Sequence, residues 1–181
     1  GLRVSTLTRR FGKKLQTLRR IYLIGMGSSY NMGLAAEGFI RRMVPEKFVK
    51  TIMPVEIDDV HRAFDPDVDL LVMTSWSSTT ADMVEFAKMA ADRRLTMIGV
   101  TEKVFGDMAL VTARSGGVLA VHSGEEVTVS ALKSSLCSLY CLFLLGVWLT
   151  RQCGRHPSAA QQLQKLLEIP EAVDAVLQDE S

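Results

Sequence analysis

The stretch IYLIGMGSSYNMG, residues 21–33, decides the fold. An apolar run ending at Ile24 breaks at Gly25, Gly27, Ser28 and Ser29, then resumes from Tyr30 to Met43 with helical spacing and stops before Pro45. A strand, a glycine-serine turn and a helix are expected in that order. The turn before a helix is a natural seat for an anion, and two ligands compete for it. A dinucleotide needs G-x-G-x-x-G and an acid about 20 residues on. Gly25 and Gly27 fit, Tyr30 stands in the third position, and Glu56 is the acid on offer. The other ligand is a smaller phosphate.

Outward from this unit, strand and helix patterns alternate. FVKTIMP (48–54), DLLVMTS (69–75) and LTMIGV (95–100) read as strands, the last two continuous enough to be buried on both faces. EIDDVHRAF (56–64) and TTADMVEFAKMAADRR (79–94) read as helices, the second with Met83, Phe86, Ala87 and Ala90 on one face. MALVTA (108–113) and GVLAVH (117–122) are short apolar pieces, and one or both are expected to extend the sheet edge. A long helix follows from about Glu125 to Gln152, ending at Gly154 with Pro157 beyond. QQLQKLLEIPEAVDAVLQ is a helix interrupted at Pro170. The alternation predicts an α/β, three-layer sandwich around a five-stranded, doubly wound parallel sheet. Strands one and three should lie side by side, so that their following loops share a crevice.

Composition excludes several classes. The 181 residues carry a net charge of +1 and are 48% hydrophobic, which implies a globular domain and no nucleic-acid partner. Residues 1–20 hold seven basic side chains and no acid, with Leu2, Val4, Leu7, Phe11, Leu15 and Leu18 at near-helical spacing. This reads as a solvated basic amphipathic helix in preference to a nucleic-acid arm. A transit peptide shares that pattern, but the chain opens at Gly1 without Met, as expected of a boundary within a longer protein. Cys137, Cys141 and Cys153 sit in an apolar helical pattern and read as reduced core thiols of a cytoplasmic protein, without a metal. LCSLYCLFLLGVWL (136–149) falls short of the roughly 20 apolar residues of a membrane span, so a buried helix and no membrane partner are expected.

The chemistry should lie where loops leave the strands. Loop one is GMGSSYN (25–31), loop two SWSSTTAD (75–82) and loop three HSGEEVTVSALKS (122–134). In loop two, Ser75, Ser77, Ser78, Thr79 and Thr80 offer five hydroxyls at a helix start. Capping the helix needs one of them; five, with Ser28 and Ser29 from loop one, describe a phosphate cradle at positive helix ends.

GMGSSYN, SWSSTTAD and SGEEVTVSALKS, in that order over about Arg20 to Gln152, resemble the sugar isomerase (SIS) domain. The resemblance is to the first of two such repeats in the isomerase half of glucosamine-6-phosphate synthase and related isomerases and deglycases. There the stretches read approximately GTSYN, SQSGETAD and GTEIGVASTK. The resemblance implies an SIS-type, flavodoxin-like sheet, a hexose or amino-hexose phosphate ligand and no cofactor. It implies phosphosugar contacts at Ser28, Ser29, Ser75, Ser77 and Thr80 and a backbone contact at Val129. Trp76, Ser78 and Thr79 replace Gln, Gly and Glu of that pattern, which leaves the phosphate site intact and opens the identity of the sugar. Trp76 narrows the site, stacks on the sugar, or is an ordinary loop side chain.

Glu126 matches an acid of the third motif. It either moves a proton in an aldose-ketose interconversion or favours the N-terminal end of the long helix. Lys133 reads as a surface or interface residue, His122 as a loop histidine, and His61 and His156 have no chemical company. The resemblance puts the main acid and base in a second repeat. The expected organisation is a basic helix over 1–19, an SIS domain over 20–153 and a helical segment over 154–181 leading toward such a repeat. The partner is then that repeat or a second copy in a homodimer. Binding of a phosphosugar without turnover is the alternative function.

Overall fold

The computed structural model describes residues 14–56, 64–126 and 132–179. A short helix α1 (Lys14–Thr17) leads into β1 (Arg20–Ile24), followed by α2 (Ser28–Met43), β2 (Phe48–Ile52) and a single 3-10 turn, Pro54–Glu56. Next come β3 (Asp69–Thr74), α3 (Ala81–Asp92), β4 (Thr96–Thr101), α4 (Asp107–Ser115) and β5 (Gly117–Ala120). Three helices close the chain: α5 (Leu132–Gln152), α6 (His156–Leu167) and α7 (Ile169–Asp179).

The five strands are all parallel, in the order β2-β1-β3-β4-β5. As the sequence predicts, β1 and β3 are neighbours, with Ile24 opposite Met73 at their carboxyl ends. The chain winds one way from β1 to β2 and the other way from β3 onward, so the two loops at this reversal open into a shared crevice.

Every residue of β3 and β4 is buried, as strands covered on both faces require. Their alternation divides the core. Ile21, Leu23, Leu70, Val72, Ile98 and Val100 face α2 and α5, meeting Ile40, Leu142, Leu145 and Trp148. Tyr22, Ile24, Leu71, Met73 and Met97 face the other way, toward Met83, Phe86 and Ala87 of α3 and Met108 of α4. Each large side chain taken fully out of water contributes about 1.5–3 kcal/mol. Buried Asp69 is held by Arg20, whose Nη2 donates to Oδ2 at 2.8 Å, and it also accepts the N–H of Asp65.

The expectations for 108–122 are corrected in part. MALVTA is not a strand: it lies inside α4, and only GVLA of the second piece joins the sheet as β5. Asp107 in the first turn and Arg114 in the last complement a helix dipole, and buried Met108, Ala109 and Thr112 give the helical spacing that the short apolar run concealed.

Helix α5 has 21 residues and is, by length and composition, long and apolar enough to cross a membrane; the apolar run of 136–149 understates it. In this fold Leu142, Leu145, Trp148 and Leu149 are spent on the core, and Gly146 admits Phe39 and Ile40 of α2. The interrupted C-terminal pattern is two helices, broken at Glu168, with Pro170 in the first turn of α7. The expected helices over 1–19 and 56–64 lie largely outside the described residues, as do His61, Val129 and the start of the long helix.

Candidate functional site

Loops one and two meet at the reversal of strand order. Ser28 and Ser29 from the first turn of α2 and Ser75, Ser77 and Thr80 from the loop after β3 line one cleft of about 190 Å³. Gly25 makes the first turn possible: a Cβ there would stand 2.8 Å from the main-chain carbon of Ser29. The helix behind it begins after Gly27, which brings no side-chain oxygen to its first N–H groups, and its first turn holds no acid. Thr80 precedes α3, and its hydroxyl makes no capping bond to that helix. It lies 3.3 Å from the Ser75 hydroxyl instead. Two helix N-termini, neither capped by a side chain, therefore border a hydroxyl-lined cleft, which is the arrangement that binds a phosphate. Asp82, in the first turn of α3, is exposed and is not among the cleft residues.

The five hydroxyls of loop two divide. Ser75 is buried and accepts the N–H of Ser78 at 3.2 Å, shaping the turn. Ser77 accepts the N–H of Thr79 at 3.3 Å and still lines the cleft. Ser78 is fully buried and turned away, at a φ of 60°, and its oxygens accept the N–H groups of Met108 and Ala109 at 3.0 and 2.8 Å. It caps α4. Thr79 is exposed and lines a different surface hollow with Asp107. Three of the five hydroxyls thus face the cleft, because the positive φ at Ser78 reverses the chain.

The described start of loop three, residues 122–126, meets the cleft wall where Ser123 bonds Trp76. Glu126 accepts the N–H of Ser134 at 2.9 Å, in the first turn of α5 as described, and Lys133 donates to the carbonyl of Glu125 at 2.6 Å. Both contacts lie at the start of α5 as described, within loop three. His122 is exposed at a φ of 56°. The side chains that sequence reasoning missed are Glu102 and Ser123. The Glu102 carboxylate accepts both the N–H of Ser123, at 2.8 Å, and its hydroxyl, at 3.2 Å. That hydroxyl receives the indole N–H of Trp76 at 3.3 Å. Glu102 directly follows β4, so the rule that ligands gather at strand ends would have found it. Among the described residues no group of three or more His, Cys, Asp or Glu could hold a metal ion.

A five-stranded parallel sheet flanked by helices in this order is the SIS-type fold, and solved structures share it. Over 94% of this chain and 47% of the other, it superposes on the C-terminal domain of glucosamine-fructose-6-phosphate aminotransferase from Francisella tularensis with a TM-score of 0.80 at 19% identity. The Vibrio vulnificus NanR protein complexed with ManNAc-6P aligns over 93% of this chain and 61% of its own with a TM-score of 0.64 at 18% identity. In sequence, the chain is 26% identical over 167 residues to the glutamine-fructose-6-phosphate aminotransferase (isomerizing) of Thermotoga maritima, 90% of this chain and 26% of that enzyme. It therefore spans about a quarter of the length of that relative. No protein-family model matches the sequence.

Proposed function

We propose that this chain is the phosphosugar-binding SIS domain of a sugar-phosphate isomerase or fructosamine-6-phosphate deglycase, taking a hexose or amino-hexose phosphate. The observation that carries the reading is the convergence of Ser28, Ser29, Ser75, Ser77 and Thr80 on one cleft between two helix N-termini. A phosphate seated there receives main-chain N–H and hydroxyl donors, and charge-assisted bonds of this kind are about twice as strong as neutral ones. The sugar then extends toward Trp76 and loop three.

An aldose-ketose interconversion needs a base that moves a proton between adjacent carbons. The cleft residues are serine, threonine, methionine and tryptophan, with no carboxylate, imidazole or amine among them. In this reading the proton-transfer group comes from Glu126, released from Ser134, or from a second SIS repeat or a second copy of the chain. Leu132 and Leu136 of α5, 64% and 65% exposed, supply an apolar contact for such a partner in a homodimer. The setting is a cytoplasmic one, where Cys137, Cys141 and Cys153 stay reduced.

The uncharged cleft also favours the second reading, a domain that binds a phosphosugar and does not turn it over. Incubating the full native protein with fructose 6-phosphate and with fructosamine 6-phosphates separates the two. Product formation supports the enzyme; calorimetric binding without product supports the sensor. Absence of binding by every phosphosugar removes both.

A further inference from the structure

Trp76 is fixed from three sides. Its carbonyl accepts the Thr101 hydroxyl at 3.0 Å and the Lys103 N–H at 3.3 Å, tying the loop to the end of β4. Its indole N–H donates to Ser123, which Glu102 holds in turn. The Lys103 ammonium stands 5.0 Å from the ring centroid, over the indole. Trp76 is nonetheless half-buried and lines the cleft, so part of this immobilised ring is open to a ligand. An aromatic that needs only two side-chain torsions fixed, and has them fixed before binding, offers contact area at little entropic cost.

We propose that the Trp76–Lys103 pair is the sugar-selecting wall of the cleft, admitting uncharged hexose phosphates in preference to amino-hexose phosphates; this rests on the phosphate reading above. The C–H face of a neutral hexose loses nothing against the indole and gains apolar contact. An ammonium-bearing sugar would ordinarily be drawn to a tryptophan face. Here Lys103 has already taken the ring's attraction for a cation and adds like-charge repulsion. Glu102 and Ser123 act as positioning residues that hold the indole in place.

The test titrates the full chain with inorganic phosphate, glucose 6-phosphate and glucosamine 6-phosphate, at a pH where the amine is protonated. The two sugars differ only at that group. Glucose 6-phosphate should bind at least fivefold more tightly than glucosamine 6-phosphate. It should also protect tryptophan fluorescence from acrylamide, since Trp148 is buried and Trp76 is the quenchable one of the two. Trp76→Ala should weaken glucose 6-phosphate at least tenfold with inorganic phosphate within twofold. Lys103→Gln, at an exposed position, should close the gap between the sugars. Equal affinity of the parent for both sugars, equal losses for phosphate and sugar in Trp76→Ala, or binding of phosphate alone overturns the inference and leaves the phosphate cradle standing. A parent that binds none of the three removes the cradle and the inference together.

Discussion

Ser78 and Gly106 approach so closely that a Cβ on the glycine would stand 2.6 Å from the Cβ of the serine and 3.1 Å from the carbonyl of Ser77. The backbone carbonyl cannot swing aside as a flexible side chain would, so loop two depends on a bare position in the loop after β4. Gly106→Ala is expected to destabilise the chain by about 1–3 kcal/mol and to weaken phosphosugar binding at the same time, because it displaces Ser77. Thermal melts beside calorimetric titration check it; a full-affinity variant of unchanged melting temperature would show that the contact relaxes freely.

Ser77 and Thr80 line the cleft, and their hydroxyls make contacts of 3.3 Å within loop two. Ser77→Ala and Thr80→Ala should each weaken phosphosugar binding by about tenfold, roughly 1.4 kcal/mol, while stability changes by less than about 1 kcal/mol. Ser75→Ala should behave differently. Its hydroxyl is buried and shapes the turn through Ser78, so a stability loss of about 1–2 kcal/mol should accompany the loss of affinity. Calorimetry on the three variants separates ligand contact from loop support.

The Cys141 thiol is pushed up to about 11, first by burial and then by the neighbouring Cys137 and Glu102. Since the thiolate is the reactive form, Cys141 should be alkylated at pH 8 at least about tenfold more slowly in the native chain than in the same chain unfolded by urea. Peptide mapping after timed labelling reads this directly, and equal rates would place the thiol in open solvent.

Glu46 provides a pH test. Burial pushes its carboxyl up, but hydrogen bonds from its own N–H and from Cys153, with Arg155 at 2.9 Å, leave the net value below the ordinary 4.5. A group depressed in the folded state adds stability above its unfolded value and loses it as pH falls through the folded one. Both partners are more than a third exposed, so solvent screening keeps the contribution under about 1 kcal/mol. Glu46→Gln should therefore melt slightly below the parent at pH 7 and level with it in acid below that depressed value. A difference that grows on acidification would contradict the sign.

Much of this was legible from residues alone, for identifiable reasons. The runs DLLVMTS and LTMIGV are buried on both faces, and such strands advertise themselves by unbroken apolarity. The strand-end rule directed Ser28, Ser29 and the five loop-two hydroxyls toward one crevice, and the resemblance singled out Ser75, Ser77 and Thr80, which line the cleft with Ser28 and Ser29. MALVTA stays open in sequence because six residues cannot distinguish a buried strand from a helix turn or two. Ser78 groups with its neighbours in sequence because hydroxyl composition carries no direction, whereas in the fold it has a positive φ and bonds Met108 and Ala109 of α4. The Glu102–Ser123–Trp76 chain joins three separate loops, and such a juxtaposition exists only once the sheet is built.

The cleft meets its ligand mainly with dipoles: none of its nine described lining residues is charged, and the Lys103 ammonium stands over the Trp76 ring rather than among them. Fixed dipoles hold a dianion well at contact but cast a weak field at a distance, whereas a ring of lysines would draw it in from beyond the Debye length. Capture should therefore be governed mainly by collision and fit, with an association rate only weakly dependent on salt. The domain would then sample phosphorylated sugars in crowded, ion-rich surroundings by shape, undistracted by the far more numerous anions that carry charge without the matching form.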